Sequence, residues 1–355
     1  MKIYKRILNR SHYTGKALLK GALAAMLLIP MASCDDSFIF EGEGDCDPHY
    51  FVKYVFDMNM QYADAFSSRV NSVRLFIFDP ETGDLVREYT ESGDALKADG
   101  YRMPIDVDPG KYDLIAWCGL ENNKDHFVLP QTISNREHIH CTMARQRDEQ
   151  GVAFQKEFLS PLFHGRLAVD LPNEEGEHVV TMYLIKDTNN INISLQHVAG
   201  EPLTSDMFTL TMSEGNGHMA YDNSILKDED VLYKPWTVTD GNLDLSGKET
   251  KADNDKNLNF FKAELSTARL MADRDPRINI VENETGELVY SIPIVQWALM
   301  LRSDQYKDME DQEFLDREDE YNIMLYLDND KGWKAAQIWI NSWRLVSHDD
   351  TQMGS

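Results

Sequence analysis

Basic residues are scarce in this 355-residue chain: 35 Lys and Arg stand against 60 Asp and Glu, a net charge of −25. So acidic a body does not bind nucleic acid by displacing counterions from phosphates. It is also repelled by anionic lipid surfaces. Cysteine is scarce as well, with four residues at 34, 46, 118 and 141 and no CxxC spacing of the kind zinc sites use. No apolar run after the first thirty-odd positions approaches the roughly 20 residues of a membrane helix. GxSxG, HExxH, a phosphate-binding glycine loop and a dinucleotide fingerprint are all missing. Carboxylates are so numerous that two of them lying close together say nothing about glycosidase chemistry. Neither an enzyme nor a cofactor is expected, and no metal site.

What is present begins at the N-terminus. Lys2, Lys5, Arg6, Arg10, Lys16 and Lys20 precede the apolar stretch from Ala22 to Met31, with no acidic residue among them. Ala32 and Ser33 then lead into Cys34. A charged start, a short apolar segment and small residues before a cut make an export signal. Met31-Ala32-Ser33-Cys34 resembles the lipobox of bacterial lipoproteins, which implies that the Cys34 thiol is acylated and heads the mature chain. One acyl chain holds a protein only marginally, at about 0.8 kcal/mol per buried methylene. The two or three chains of such lipoproteins hold it permanently. Residues 1–33 are therefore expected to be a signal peptide. Without them the chain has 29 basic and 60 acidic residues, a net −31. Residues 34–48 read as an acidic tether. Asp35 and Asp36, directly after the cysteine, resemble the surface-export signals of Bacteroidales lipoproteins, which implies the outer face of the outer membrane. With Cys34 acylated, three cysteines remain and at most one disulfide forms. Cys118, in the apolar run LIAWCG, reads as a buried small hydrophobe. A Cys46–Cys141 pair stays open.

The rest of the chain is patterned as strands. Tyr50–Phe56, Val73–Phe78, Leu85–Tyr89, Tyr112–Trp117 and Glu137–Met143 alternate or run apolar, with Asp79–Asp84 and Asp106–Lys111 as turns. The polar segment Arg145–Gly151 is the expected domain boundary. Beyond it, Phe163–Leu171, His178–Ile185, Asn190–Val198, Phe208–Met212, Val231–Val238, Leu258–Leu265, Arg277–Val281 and Leu288–Ile294 read as strands. Ser303–Asp319, capped and free of Gly and Pro, predicts the single helix. Tyr321–Leu327 and Ala335–Val346 close the chain. Ile77–Val86 (IFDPETGDLV) and Ile280–Val289 (IVENETGELV) echo each other, as similar hairpins would. Short strands, regular turns and little helix predict an all-β chain of two β-sandwiches in tandem, residues 49–147 and 148–355.

Two local patterns invite a metal and are set aside. His138 and His140 would share a face of a strand, but no third ligand follows at a suitable spacing. Asp253-x-Asp255-x-Asn257-x-Asn259 imitates a calcium loop, yet Leu258 stands where the turn requires glycine.

Four stretches, in order, resemble the fimbrillin-A-associated anchor family of Bacteroidales type V pili. They are Val73–Asp79 with Thr82, Gly83, Leu85 and Val86; Pro109–Trp117; Phe314–Arg317 running to Tyr321–Ile323; and Ile338–Val346. The chain departs from the family at Cys118, where a small or polar residue is expected. The resemblance implies transthyretin-like sandwiches and a structural role: anchoring or terminating a fimbria through strand-mediated contact with a pilin. Such contact is β-augmentation, in which backbone hydrogen bonds give affinity and alternate side chains fill pockets. In the family's pilins the N-terminal strand is cut away to open a groove. A chain held by Cys34 would lose its membrane that way, so the strand at Tyr50–Phe56 is expected to stay and fill its own sheet. Trp339 and Trp343 are read as core residues. The alternative is a surface lipoprotein that captures a glycan or host protein through exposed aromatics.

Overall fold

The computed structural model describes residues 47–123, 125–197, 201–244, 257–300, 302–328, 334–340 and 343–345. Cys34, Cys46, residues 253–256 of the calcium-like loop, and the Trp339 and Trp343 side chains lie outside what is described. Among the described residues strand far outweighs helix, as the patterning predicts.

Five strands open the fold: β1 (Pro48–Val55), β2 (Ser72–Phe78), β3 (Leu85–Ser92), β4 (Met103–Ile105) and β5 (Gly110–Cys118). A three-stranded sheet runs Gly176–Tyr183, β1, β4. A five-stranded sheet runs Ile185–Lys186, Phe163–Leu171, β5, β2, β3. The two faces of this second sheet serve different cores. Val73, Leu75, Ile77, Leu114, Ala116 and Cys118 pack with Val52, Tyr54 and Phe163. Phe76, Phe78, Ile115 and Trp117 point the other way, into a core with Ile191, Phe261 and Ile323. Burial on both faces is why β2 and β5 read as unbroken apolar runs rather than alternations.

The second core is enclosed by three more sheets. One orders Thr237–Asp244, Asn257–Ala268, Thr188–His197, Glu320–Asp328, Lys334–Ile340 and Trp343–Leu345. A second orders Leu288–Pro293, Arg277–Glu282, Phe208–Glu214, Val231–Tyr233, Ala153–Gln155 and Gln146–Arg147. The third is small: His218–Ala220, His140–Met143 and Phe127–Val128. Thr188–His197 alternates cleanly, with Ile191, Ile193 and Leu195 inward and Asn190, Asn192 and Ser194 outward.

Several expectations are corrected. Arg145–Gly151 does not divide the strands into two successive sandwiches. Gln146–Arg147 turns back on Ala153–Gln155, and Phe163–Leu171 then returns to pair with β5 through all nine residues. Gly176–Tyr183 likewise joins β1, and the chain leaves the first pair of sheets at Lys186–Thr188. Polarity marked a surface hairpin and carried no information about strand partners. The helix expected over Ser303–Asp319 is a turn at Asp304–Tyr306 and a helix at Asp311–Arg317. Arg302 holds the Met309 carbonyl at 2.9 Å and Glu310 is extended, so one continuous helix cannot form. Leu288–Ile294 stops as a strand at Pro293, and Ile294–Met300 is a helix that buries Ile294, Val295 and Ala298. Glu137–Met143 is a strand only from His140, because Asn135 accepts from the Glu137 amide and caps a turn at Arg136–His138.

Candidate functional site

The strand on which the functional reading turns is β1. Its sequence PHYFVKYV puts Tyr50, Val52 and Tyr54 on one face, and all three are buried. Burial of such side chains contributes roughly 2 kcal/mol each. Tyr54 stacks on Phe66 at 5.5 Å, and Phe66 on Tyr101 at 6.3 Å. The Tyr50 hydroxyl donates to the Pro172 carbonyl at 2.6 Å. Burial raises the Tyr54 phenol well above its ordinary pKa, so it stays a neutral donor, 3.5 Å from the Met103 Sδ. On the outer face the Arg102 guanidinium covers the Phe51 ring at 4.5 Å.

Backbone pairing holds β1 on both sides. Pro48–Val55 runs parallel to Gly176–Tyr183 over eight residue pairs, and Tyr50–Val52 runs antiparallel to β4. Past the strand, the Phe56 amide donates to Asp64 Oδ1 at 3.0 Å and the Ala65 amide to the Phe56 carbonyl at 2.9 Å. Arg317 then grips the next loop, donating to the Asp57 carbonyl at 2.9 Å and lying over the Tyr62 ring at 4.3 Å. Gly176–Tyr183 is an edge: among the described strands only β1 pairs with it, and Val179 and Tyr183 are exposed.

Where the chain passes from one set of sheets to the next, a buried polar network ties the turn. Asp187 donates its amide to the Leu162 carbonyl at 2.8 Å and accepts from Asn223 Nδ2 at 2.8 Å. Arg269 is bidentate to Asp316 at 2.8 and 2.6 Å and reaches the Asn223 carbonyl at 3.0 Å. Lys186 pairs with Asp319. Burial pushes the Asp187 carboxyl up to about 7, against the pull of Arg269.

The metal candidates do not assemble. His138 sits in the turn, while His140 meets His218 edge to face at 4.9 Å on the neighbouring strand. Among the described residues no group of three or more His, Cys, Asp or Glu side chains is arranged to hold an ion. Cys118 and Cys141 are buried free thiols, each pushed up in pKa by burial, and Cys46, the partner considered for Cys141, lies outside the described residues.

Residues 43–349 match the family of fimbrillin-A associated anchor proteins Mfa1 and Mfa2. The chain belongs to the fimbrillin-A-associated anchor family. No curated protein matches it. Among solved structures, a putative adhesin from Bacteroides thetaiotaomicron is similar, with a TM-score of 0.72 and 29% identity over 85% of this chain and 99% of that one. A protein of the same organism described as polysaccharide binding gives 0.70 and 26%, over 87% and 100%. The Porphyromonas gingivalis fimbrial anchor protein Mfa2 gives 0.61 at 15% identity, over 85% and 100%, a likeness of fold. In this anchor-family chain the quoted stretch Phe314–Arg317 has structural work at every position. Phe314 and Leu315 are core, Asp316 pairs with Arg269, and Arg317 holds the loop after β1. Sequence reading found the stretch but not the partners, because Arg269 and Asp57 are 47 and 260 positions away.

Proposed function

We propose that this chain anchors a fimbria at the outer membrane and ends the filament there. Acyl chains on Cys34 hold it to the membrane, the acidic tether lets the body stand off, and the body contacts a pilin through a strand. The observation that carries the reading is that β1 lies between two partners of its own chain, fourteen residues after Cys34 begins its path to Pro48. A subunit that keeps this strand presents no vacated groove there for a neighbour, so it terminates rather than extends. The open edge at Gly176–Tyr183 offers backbone groups to an added strand. Electron microscopy of cells lacking the gene tests this. Shed or abnormally long filaments are expected; normal, cell-bound filaments would contradict it. Cys34→Ala should release the protein, and filaments with it, into the medium.

A further inference from the structure

Away from β1, two segments run side by side where Ala153–Gln155 pairs in parallel with Val231–Tyr233, Phe154 opposite Leu232 and Gln155 opposite Tyr233. The Lys234 amide donates to the Gln155 carbonyl at 2.8 Å, which carries the pairing past the strand ends. Side chains alternate across such a ribbon. Ala153, Gln155, Val231 and Tyr233 are buried. The other set forms a stripe on the outside: Phe154, Lys156 and Phe158 beside Leu232, Lys234 and Trp236. Phe158 and Trp236 are 45% and 39% exposed and meet edge to face at 5.4 Å. The ammonium groups of Lys156 and Lys234 both lie over the Phe154 ring, at 5.8 and 4.5 Å.

This arrangement is out of character for the molecule. Two cations converge on one ring in a chain of net charge −25, and neither is in an ion pair with a described residue. The nearest acid in sequence, Glu157, feels the Lys156 charge only through space, its carboxylate being hydrogen-bonded to His126 and Gln146 at 2.8 Å each. The ring attracts each ammonium through its quadrupole, but the ammoniums repel each other. An anion between them relieves that repulsion. Next to the cations, two large rings stand in water with their faces partly free, where an apolar body with polar edges would stack.

We propose that this stripe binds an acidic glycan. Pyranose faces stack on Trp236 and Phe158, and the carboxylate or sulfate groups of the sugar sit on Lys156 and Lys234. The dimensions favour a linear chain over a protein partner. Five residues of fully extended chain span at most about 13 Å, and the two segments lie about 5 Å apart where they pair. A stable protein interface needs roughly 800 Å² on each side, far more than six side chains present. The proposal stands apart from the anchoring role, which needs no sugar.

The test is calorimetric titration of the full chain with a galacturonate hexamer and, separately, with cellohexaose as its neutral counterpart. The acidic oligomer should bind, and its affinity should fall as salt rises. Trp236→Ala should weaken binding about tenfold, and Lys156→Ala with Lys234→Ala should weaken it as much and flatten the salt dependence. Lys156→Arg with Lys234→Arg should retain binding, and all these variants should keep the parental unfolding midpoint. Cellohexaose bound as tightly as the acidic hexamer would overturn the proposal. So would a failure of the galacturonate hexamer, hyaluronan and chondroitin sulfate alike to bind, or binding indifferent to all these substitutions. Protection of the stripe by a protein partner in place of the sugars would also overturn it.

Discussion

Asp187 is wholly buried and its carboxyl titrates near 7, against an ordinary 3.8. Between those values the folded chain keeps a proton that the unfolded chain has lost, so stability falls as pH rises through this window. Asp187→Asn keeps an acceptor for Asn223 and removes the titration. The melting temperature of this variant should therefore decline less between pH 4 and 7 than that of the parent; an unchanged slope would contradict the assignment. Glu318, raised to about 7 by burial and by Asp319, adds a slope of the same sign that the variant leaves in place. Arg269 is the cation that Asp316 and Asp187 share. Removing it as Arg269→Ala leaves the buried Asp316 carboxylate without its cation and should cost about 3–5 kcal/mol in urea unfolding. Gly119 is required by space as well as conformation. It has φ +86, and a Cβ there would lie 2.2 Å from the Pro161 carbonyl oxygen. Gly119→Ala should therefore lower stability by more than the roughly 1 kcal/mol of an ordinary exchange, read from the same urea unfolding curves. None of these roles was legible in the sequence, where each is one acid, one base or one glycine among many, and partners lie tens of residues off.

Elements were more legible, where local chemistry decides them. The echoed ETG stretches make the same hairpin. Gly83 and Gly286 have φ of +75 and +72, and each donates to the carbonyl four residues back, at 2.9 and 2.8 Å. Each hairpin also shifts register at the matching place, Ile77/Phe78 and Ile280/Val281. β1 was legible from its Tyr–Val–Tyr alternation. Its partners were not, because parallel pairing with Gly176–Tyr183 spans more than a hundred residues. Tyr54→Ala, which empties the stack with Phe66, should cost about 3–5 kcal/mol by chemical denaturation. Val179→Lys, by contrast, alters only the exposed edge. It should leave the unfolding midpoint within about 0.5 kcal/mol while reducing pilin capture, because a charge on an edge strand opposes added strands. The helix over Ser303–Asp319 failed as a reading because propensity is local, whereas Gln312, Asp316 and Arg317 are fixed by Leu270, Arg269 and Asp57, far away in the chain.

At the scale of the whole molecule, the all-β class followed from strand-and-turn rhythm, but the division of the chain did not. The five-stranded sheet buries both faces, so one set of strands belongs to two cores, and a boundary drawn from polarity at 145–151 falls inside a hairpin. The same construction bears on the proposed role. β1 is locked into its sheet, and the loop after it is held by Arg317 from the far end of the chain. Withdrawing the strand would disturb both. The measurement that tests this most directly is mass spectrometry of the protein's N-terminus in filament-bearing outer-membrane fractions. The account predicts an acylated Cys34 with Pro48–Val55 still attached. A mature N-terminus beyond Val55 would mean that the strand is removed and the groove opened, and that the chain extends filaments instead of ending them.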